Sequence, residues 1–209
     1  MGDSRKMWVP GPTGRMEAAL RLAEPARALA VVAHPHPAHG GTLHNPVVFH
    51  CDRELNRRGL TTLRFNFRGV GASEGSYDRG EGEVDDAAAA VGWLAEMSSE
   101  LPLLVVGYSF GAWCTSRHAI DNPRVAAIIA IGMPVEHYDF ALLGGFGRPV
   151  SAVHGADDEL ASPEKVRAIL RELRPEGELR IVDGATHLFP GRAADVAAEV
   201  VAAAEGLLF

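Results

Sequence analysis

Cysteine is scarce in this chain. Cys51 and Cys114 are the only two among 209 residues, which gives no disulfide framework and leaves the fold to apolar burial. Basic residues are outnumbered, 20 Lys and Arg against 27 Asp and Glu, for a formal net charge of −7. That balance argues against nucleic acid or an anionic membrane surface as partner. No apolar run reaches the about 18 residues that a membrane span requires. The opening MGDSRKMWVPGPTGR has no apolar core of a secretory signal. Repeats, low-complexity tracts and long linkers are missing as well. These absences set the expectation of a cytoplasmic protein, monomer or homodimer, with one domain over residues 1–209.

What is present is an alternation of short apolar runs and longer helical patterns. Strands are expected at Glu17–Leu22, Ala28–Ala33, Thr61–Phe65, Leu103–Gly107, Ala126–Ile131, Val150–His154 and Leu179–Val182. Several are apolar throughout, as parallel strands covered on both faces are. Helices are expected at Pro46–Arg58, Glu81–Ser99, Phe110–Ile120, Ser162–Leu173 and Arg192–Leu207. Gly59 suits a helix C-terminus, the acidic start at Glu81 suits a positive dipole end, and Ser162-Pro163 suits a cap and first turn. The segment 132–148 has no clear period and is too short for a cap domain. Strands alternating with helices imply an α/β fold with a mostly parallel sheet and helices on both faces.

Gly107-Tyr108-Ser109-Phe110-Gly111 fits G-x-S-x-G, a nucleophile elbow. So does Gly71-Ala72-Ser73-Glu74-Gly75, and only context separates them. Ser109 follows the strand-like Leu-Pro-Leu-Leu-Val-Val and precedes a run that can be helical. A serine there projects from a tight turn at a helix N-terminus, where amide N–H groups favour a developing anion. Ser73 sits in a glycine-rich stretch that reads as a loop.

A serine hydroxyl needs a base, and the base needs an orienting acid. In a strand–elbow–helix arrangement the order is Ser, acid, His. His187 stands after Ile-Val-Asp-Gly-Ala-Thr and before Phe189-Pro190-Gly191, a turn near the C-terminus where a base belongs. His118 and His154 read as packing residues, and His137 faces either site or solvent. The acid should follow Val150–His154, where Asp157, Asp158 and Glu159 stand together; Asp158 is favoured, and chemistry alone leaves the neighbours open. One oxyanion donor should be the N–H of Phe110. The other should come from His34-Pro35-His36-Pro37-Ala38-His39, where prolines cannot donate; His36 is the better placed and Ala38 the second choice. Four histidines within 34–44 raise a metal site as a rival, but the prolines prevent a helical ligand pair and no Cys or carboxylate interleaves. No cofactor is implied.

With these residues in hand, the chain resembles the small, lidless α/β-hydrolases of the dienelactone-hydrolase-like group. The resemblance rests on His34-Pro-His-Pro through Gly40-Gly-Thr-Leu-His-Asn45, on Arg64-Phe-Asn-Phe-Arg-Gly-Val-Gly71 with Ser73-Glu-Gly75, and on the Ser109 elbow. Gly155-Ala-Asp-Asp158 and Gly184-Ala-Thr-His187 fit the same pattern. It implies an esterase-type triad of Ser109, Asp158 and His187, since the family's acid stands three residues after the strand-end glycine. Ser109 occupies the position of a cysteine in true dienelactone hydrolases, so their lactone chemistry is not implied. The expected substrate is a small ester of short acyl chain, with Tyr108, Met133, Phe140, Phe146 and Leu188 as walls of the substrate pocket. Thioester or peptide cleavage on the same triad, and a non-catalytic scaffold, are the alternatives. Arg68 is expected to brace the site loops through backbone carbonyls.

Overall fold

The computed structural model describes residues 3–209. Its eight strands are β1 (Arg5–Gly11), β2 (Gly14–Arg21), β3 (Ala28–Ala33), β4 (Leu60–Phe65), β5 (Leu103–Tyr108), β6 (Val125–Ile131), β7 (Val150–Gly155) and β8 (Glu178–Val182). The helices are α1 (Pro46–Arg57), α2 (Glu81–Ala95), α3 (Phe110–Ile120), α4 (Pro163–Glu172) and α5 (Ala193–Leu208). The strands form one sheet in the order β1-β2-β4-β3-β5-β6-β7-β8. β1 pairs antiparallel with β2 and β2 with β4, and every later pairing is parallel.

The apolar strands are explained by burial on both sides. Along β3, Leu29, Val31 and Ala33 join a core with residues of α2, α3 and α4, while Ala28, Ala30 and Val32 join a second core with residues of α1 and α5. β5 divides the same way, Leu103 and Val105 against Leu104, Val106 and Tyr108. The hydrophobic effect therefore fixes the register of each central strand from two directions.

Local signals set the helix ends. Asn45 Oδ1 accepts the Val47 N–H at 2.9 Å ahead of Pro46, and Gly59 takes a φ of 86° just beyond α1. Ser162 stands at the start of α4, but Pro163 alone carries the signal, because the serine side chain makes no capping hydrogen bond. Two differences from expectation stand out. β1 lies outside the predicted strands: as an edge strand it packs only Met7 and Val9 on the core and carries exposed Arg5, Lys6 and Pro10, so its apolar face is too short to stand out. α2 ends at Ala95, four residues early.

Candidate active site

The elbow joins β5 to α3. Ser109 has φ 54° and ψ −114°, a left-handed backbone that costs on the order of 1–3 kcal/mol for a residue with a Cβ. The flanking glycines do not carry this strain. They serve by lacking a Cβ: one on Gly107 would lie 2.4 Å from Ala112 Cα, and one on Gly111 would lie 2.4 Å from the His34 carbonyl oxygen. The Ser109 N–H donates to Ile131 O at 2.8 Å, which ties the turn to β6.

Ser109, Asp158 and His187 come together from the ends of β5, β7 and β8. The Ser109 hydroxyl lies 2.9 Å from His187 Nε2, and His187 Nδ1 lies 2.9 Å from Asp158 Oδ2. A carboxylate accepts, so Nδ1 carries the proton and Nε2 is left to accept from the serine. Of the three adjacent carboxylates, Asp158 is buried against the imidazole, while Asp157 is exposed. Glu159 holds the same histidine differently, accepting its backbone N–H at 3.0 Å. The Tyr108 hydroxyl donates to the His187 carbonyl at 2.8 Å. Phe189, buried with φ 50°, completes the turn.

Asp158 Oδ1 accepts the N–H of Leu160 at 2.9 Å and of Ala161 at 3.3 Å. His154 Nε2 donates to Ala161 O at 2.8 Å and stands 3.4 Å from Asp158 Oδ2. Burial pushes the Asp158 carboxyl up, but the His187 hydrogen bond, the charge of both imidazoles and the Leu160 N–H outweigh it, and the group sits below its ordinary value.

The loop after β3 is built from its own residues and from three other segments. A Cβ on Gly41 would meet the Pro35 carbonyl oxygen at 2.0 Å, so the loop closes on itself only with glycine there. His34 is fully buried; Nδ1 donates to Pro35 O at 2.6 Å and Nε2 accepts the Phe67 N–H at 3.2 Å. Burial pushes its pKa down to about 4, so it is a neutral structural ring. His36 Nδ1 accepts the Ala38 N–H at 3.1 Å, which puts its proton on Nε2, 3.1 Å from the Tyr77 hydroxyl. Leu43 is clamped at both backbone groups, its N–H by Asn66 Oδ1 and its carbonyl by Arg64 Nη1, each at 2.7 Å. Among the described residues, the N–H groups of His36 and Phe110 donate to no protein acceptor.

The second G-x-S-x-G serine belongs to this bracing. Ser73 is buried, accepts the Glu17 N–H at 2.9 Å and donates to Asn66 O at 2.8 Å. Arg68 corrects the expectation of carbonyl partners: its guanidinium binds both oxygens of buried Asp86, at 3.0 and 2.9 Å. Gly82 of α2 admits it, since a Cβ there would lie 1.8 Å from Arg68 Nη1.

The family model described as serine aminopeptidase, S33, matches residues 25–138. A crystal structure from Xanthomonas campestris, described as an α/β serine hydrolase without lid, superposes with a TM-score of 0.89 at 31% identity, over 99% of this chain and 95% of that one. The chain belongs to the lidless α/β-hydrolases. An α/β serine hydrolase homologue from Coxiella burnetii matches this hydrolase with a TM-score of 0.88 at 35% identity, over 97% of each chain. A Rickettsia prowazekii protein is 35% identical to it over 194 residues, 88% of this chain and 82% of that protein.

Above Ser109 the hydrolase has a cleft of about 540 Å³. Tyr108 and Leu188 line it. Met133, Phe140 and Phe146 do not, and this corrects the expectation. They are buried in the core shared with α3, because the segment 132–148 folds its aromatic and apolar side chains inward around a short 3-10 turn at Ala141–Gly145. The same segment presents Pro134, His137 and Tyr138 to the cleft instead. His118 is not in the lining and accepts from Asn122 Nδ2 at 2.8 Å. His39, Asn45 and Leu160 line the cleft without having been singled out. His39 and Asn45 stand in stretches read for other reasons, the histidine-rich loop and the Gly40–Asn45 run.

Proposed function

We propose that this hydrolase cleaves carboxylic esters of short acyl chain through an acyl-enzyme on Ser109. His187 takes the serine proton as Ser109 attacks the ester carbonyl, and Asp158 holds the imidazole and stabilises its charged form. The N–H groups of Phe110 and His36 receive the oxyanion. His187 then protonates the leaving alcohol, and water releases the acid by the same steps in reverse. The observation that carries this reading is the unbroken hydrogen-bonded line from Ser109 Oγ through His187 to Asp158, with 2.9 Å at each step. All three side chains are nearly buried; Ser109 and His187 open onto the cleft, and Asp158 lies behind the imidazole.

A fluorophosphonate probe tests it. Labelling of the folded wild type and of Ser73→Ala, and none of Ser109→Ala, is the expected pattern. Labelling lost only in Ser73→Ala would sink the assignment, and no labelling of the folded wild type would favour a binding scaffold. The description of the matching family model supports a second reading, peptide cleavage on the same triad, for which aminoacyl substrates are the comparison.

A further inference from the structure

The cleft is notable for its charge. None of its lining residues is Asp, Glu, Lys or Arg. Three carboxylates near the cleft are already engaged, and exposed Asp157 is not in its lining. Glu159 holds the His187 N–H, and buried Glu83 accepts the N–H groups of Gly80 and Asp78 at 2.7 and 2.9 Å. Glu136, next to His137, pairs with Lys165 at 2.7 Å. What remains open in the cleft includes donors and carries no carboxylate. Asn45 has its oxygen committed to the start of α1, leaving Nδ2. The exposed rings of His39 and His137 have no hydrogen-bond partner among the described residues.

We infer that the hydrolase takes esters whose acyl group is uncharged or anionic and rejects an acyl group that bears an ammonium. The inference rests on the serine-hydrolase reading above. An ammonium entering this cleft gives up water and meets no carboxylate, so no opposite charge offsets its desolvation. A carboxylate meets N–H donors that hydrogen-bond it directly. A peptidase that holds a free N-terminus needs an anion facing the α-ammonium, and this lining offers none. The inference therefore separates this chain from the aminopeptidase chemistry for which its family model is described.

Matched p-nitrophenyl esters test it. The alanine ester differs from the propanoate by the α-ammonium, and the hemisuccinate differs from the butanoate by a terminal carboxylate. The expected kcat/KM is at least about 100-fold lower for alanyl than for propanoyl, and for hemisuccinyl equal to or above butanoyl. Leu188→Glu places a carboxylate at the rim, on a side chain 71% exposed, and is expected to raise alanyl relative to propanoyl about tenfold. Alanyl and propanoyl rates within about threefold of each other overturn the inference. Ser109→Ala is run beside them: turnover that survives it overturns the serine reading itself, whereas equal alanyl and propanoyl rates that vanish in Ser109→Ala overturn only the charge selection. If no ester turns over, the ester reading falls. The charge selection is then decided by inactivation rates with matched neutral and ammonium-bearing p-nitrophenyl phosphonates.

Discussion

Three N–H groups donate to the Asp158 carboxylate, the His187 imidazole at Oδ2 and two backbone groups at Oδ1, and the His154 ring stands 3.4 Å from Oδ2. Asp158→Asn keeps the volume but turns an acceptor into a donor facing His187 Nδ1, which selects the wrong tautomer. Its kcat is expected to fall about 10⁴-fold, while exposed Asp157→Asn stays within about twofold of wild type. Steady-state kinetics on folded variants distinguish the two. The residue types of this site were legible because nucleophile, acid and base each stand at a strand end with a distinctive turn. The clamps on His187 were not. Tyr108 and Glu159 reach it from 79 and 28 residues away in sequence, and no local pattern reports a contact that only the folded sheet creates. The choice between Asp157 and Asp158 was closed to chemistry for the same reason, since it depends on which side chain the loop turns inward.

The elements that hold these residues were readable where packing on two faces left a continuous apolar run, as in β3, β5 and β6. They were unreadable where the chain is held from one side or by shape alone, as in β1 and in the segment 132–148. The elbow shows what its glycines are for. Its motif marks a close approach of two backbones, and the positive φ falls on the serine between them. Gly111→Ala is expected to push α3 away from the loop after β3, destabilising the fold by roughly 1–3 kcal/mol and lowering the labelling rate at Ser109. Thermal unfolding and probe kinetics check both. Stability loss with an unchanged labelling rate would mean that the elbow tolerates the displacement.

At the scale of the whole molecule, the two cores and the sheet between them bury His34 in a neutral state, and this couples folding to pH. Its folded pKa of about 4 lies below the ordinary value of 6.5, so between those values the unfolded chain binds the extra proton. Stability from this group is therefore fully present above about pH 6.5 and declines as pH falls toward 4, by on the order of 3 kcal/mol in all. Urea unfolding from pH 7 to pH 4 is expected to show that decline, and His34→Asn to show a flatter slope over the same interval. Equal slopes for the two proteins would remove His34 from the account. Among the described residues no helix is long and apolar enough to cross a membrane.

The fastening of the loop after β3 has a consequence for how such a chain can diversify. Arg64 and Asn66 hold Leu43 from the end of β4, Ser73 holds Asn66, and Asp52 of α1 binds Arg64 in turn. That wall of the cleft is inherited as a block, because changing one member strands buried polar groups on the others. The opposite wall at Pro134, His137 and Tyr138 has no such buried side-chain web among the described residues. New substrate preferences therefore have one side on which to arise, and the loop after β3 stays fixed while they do.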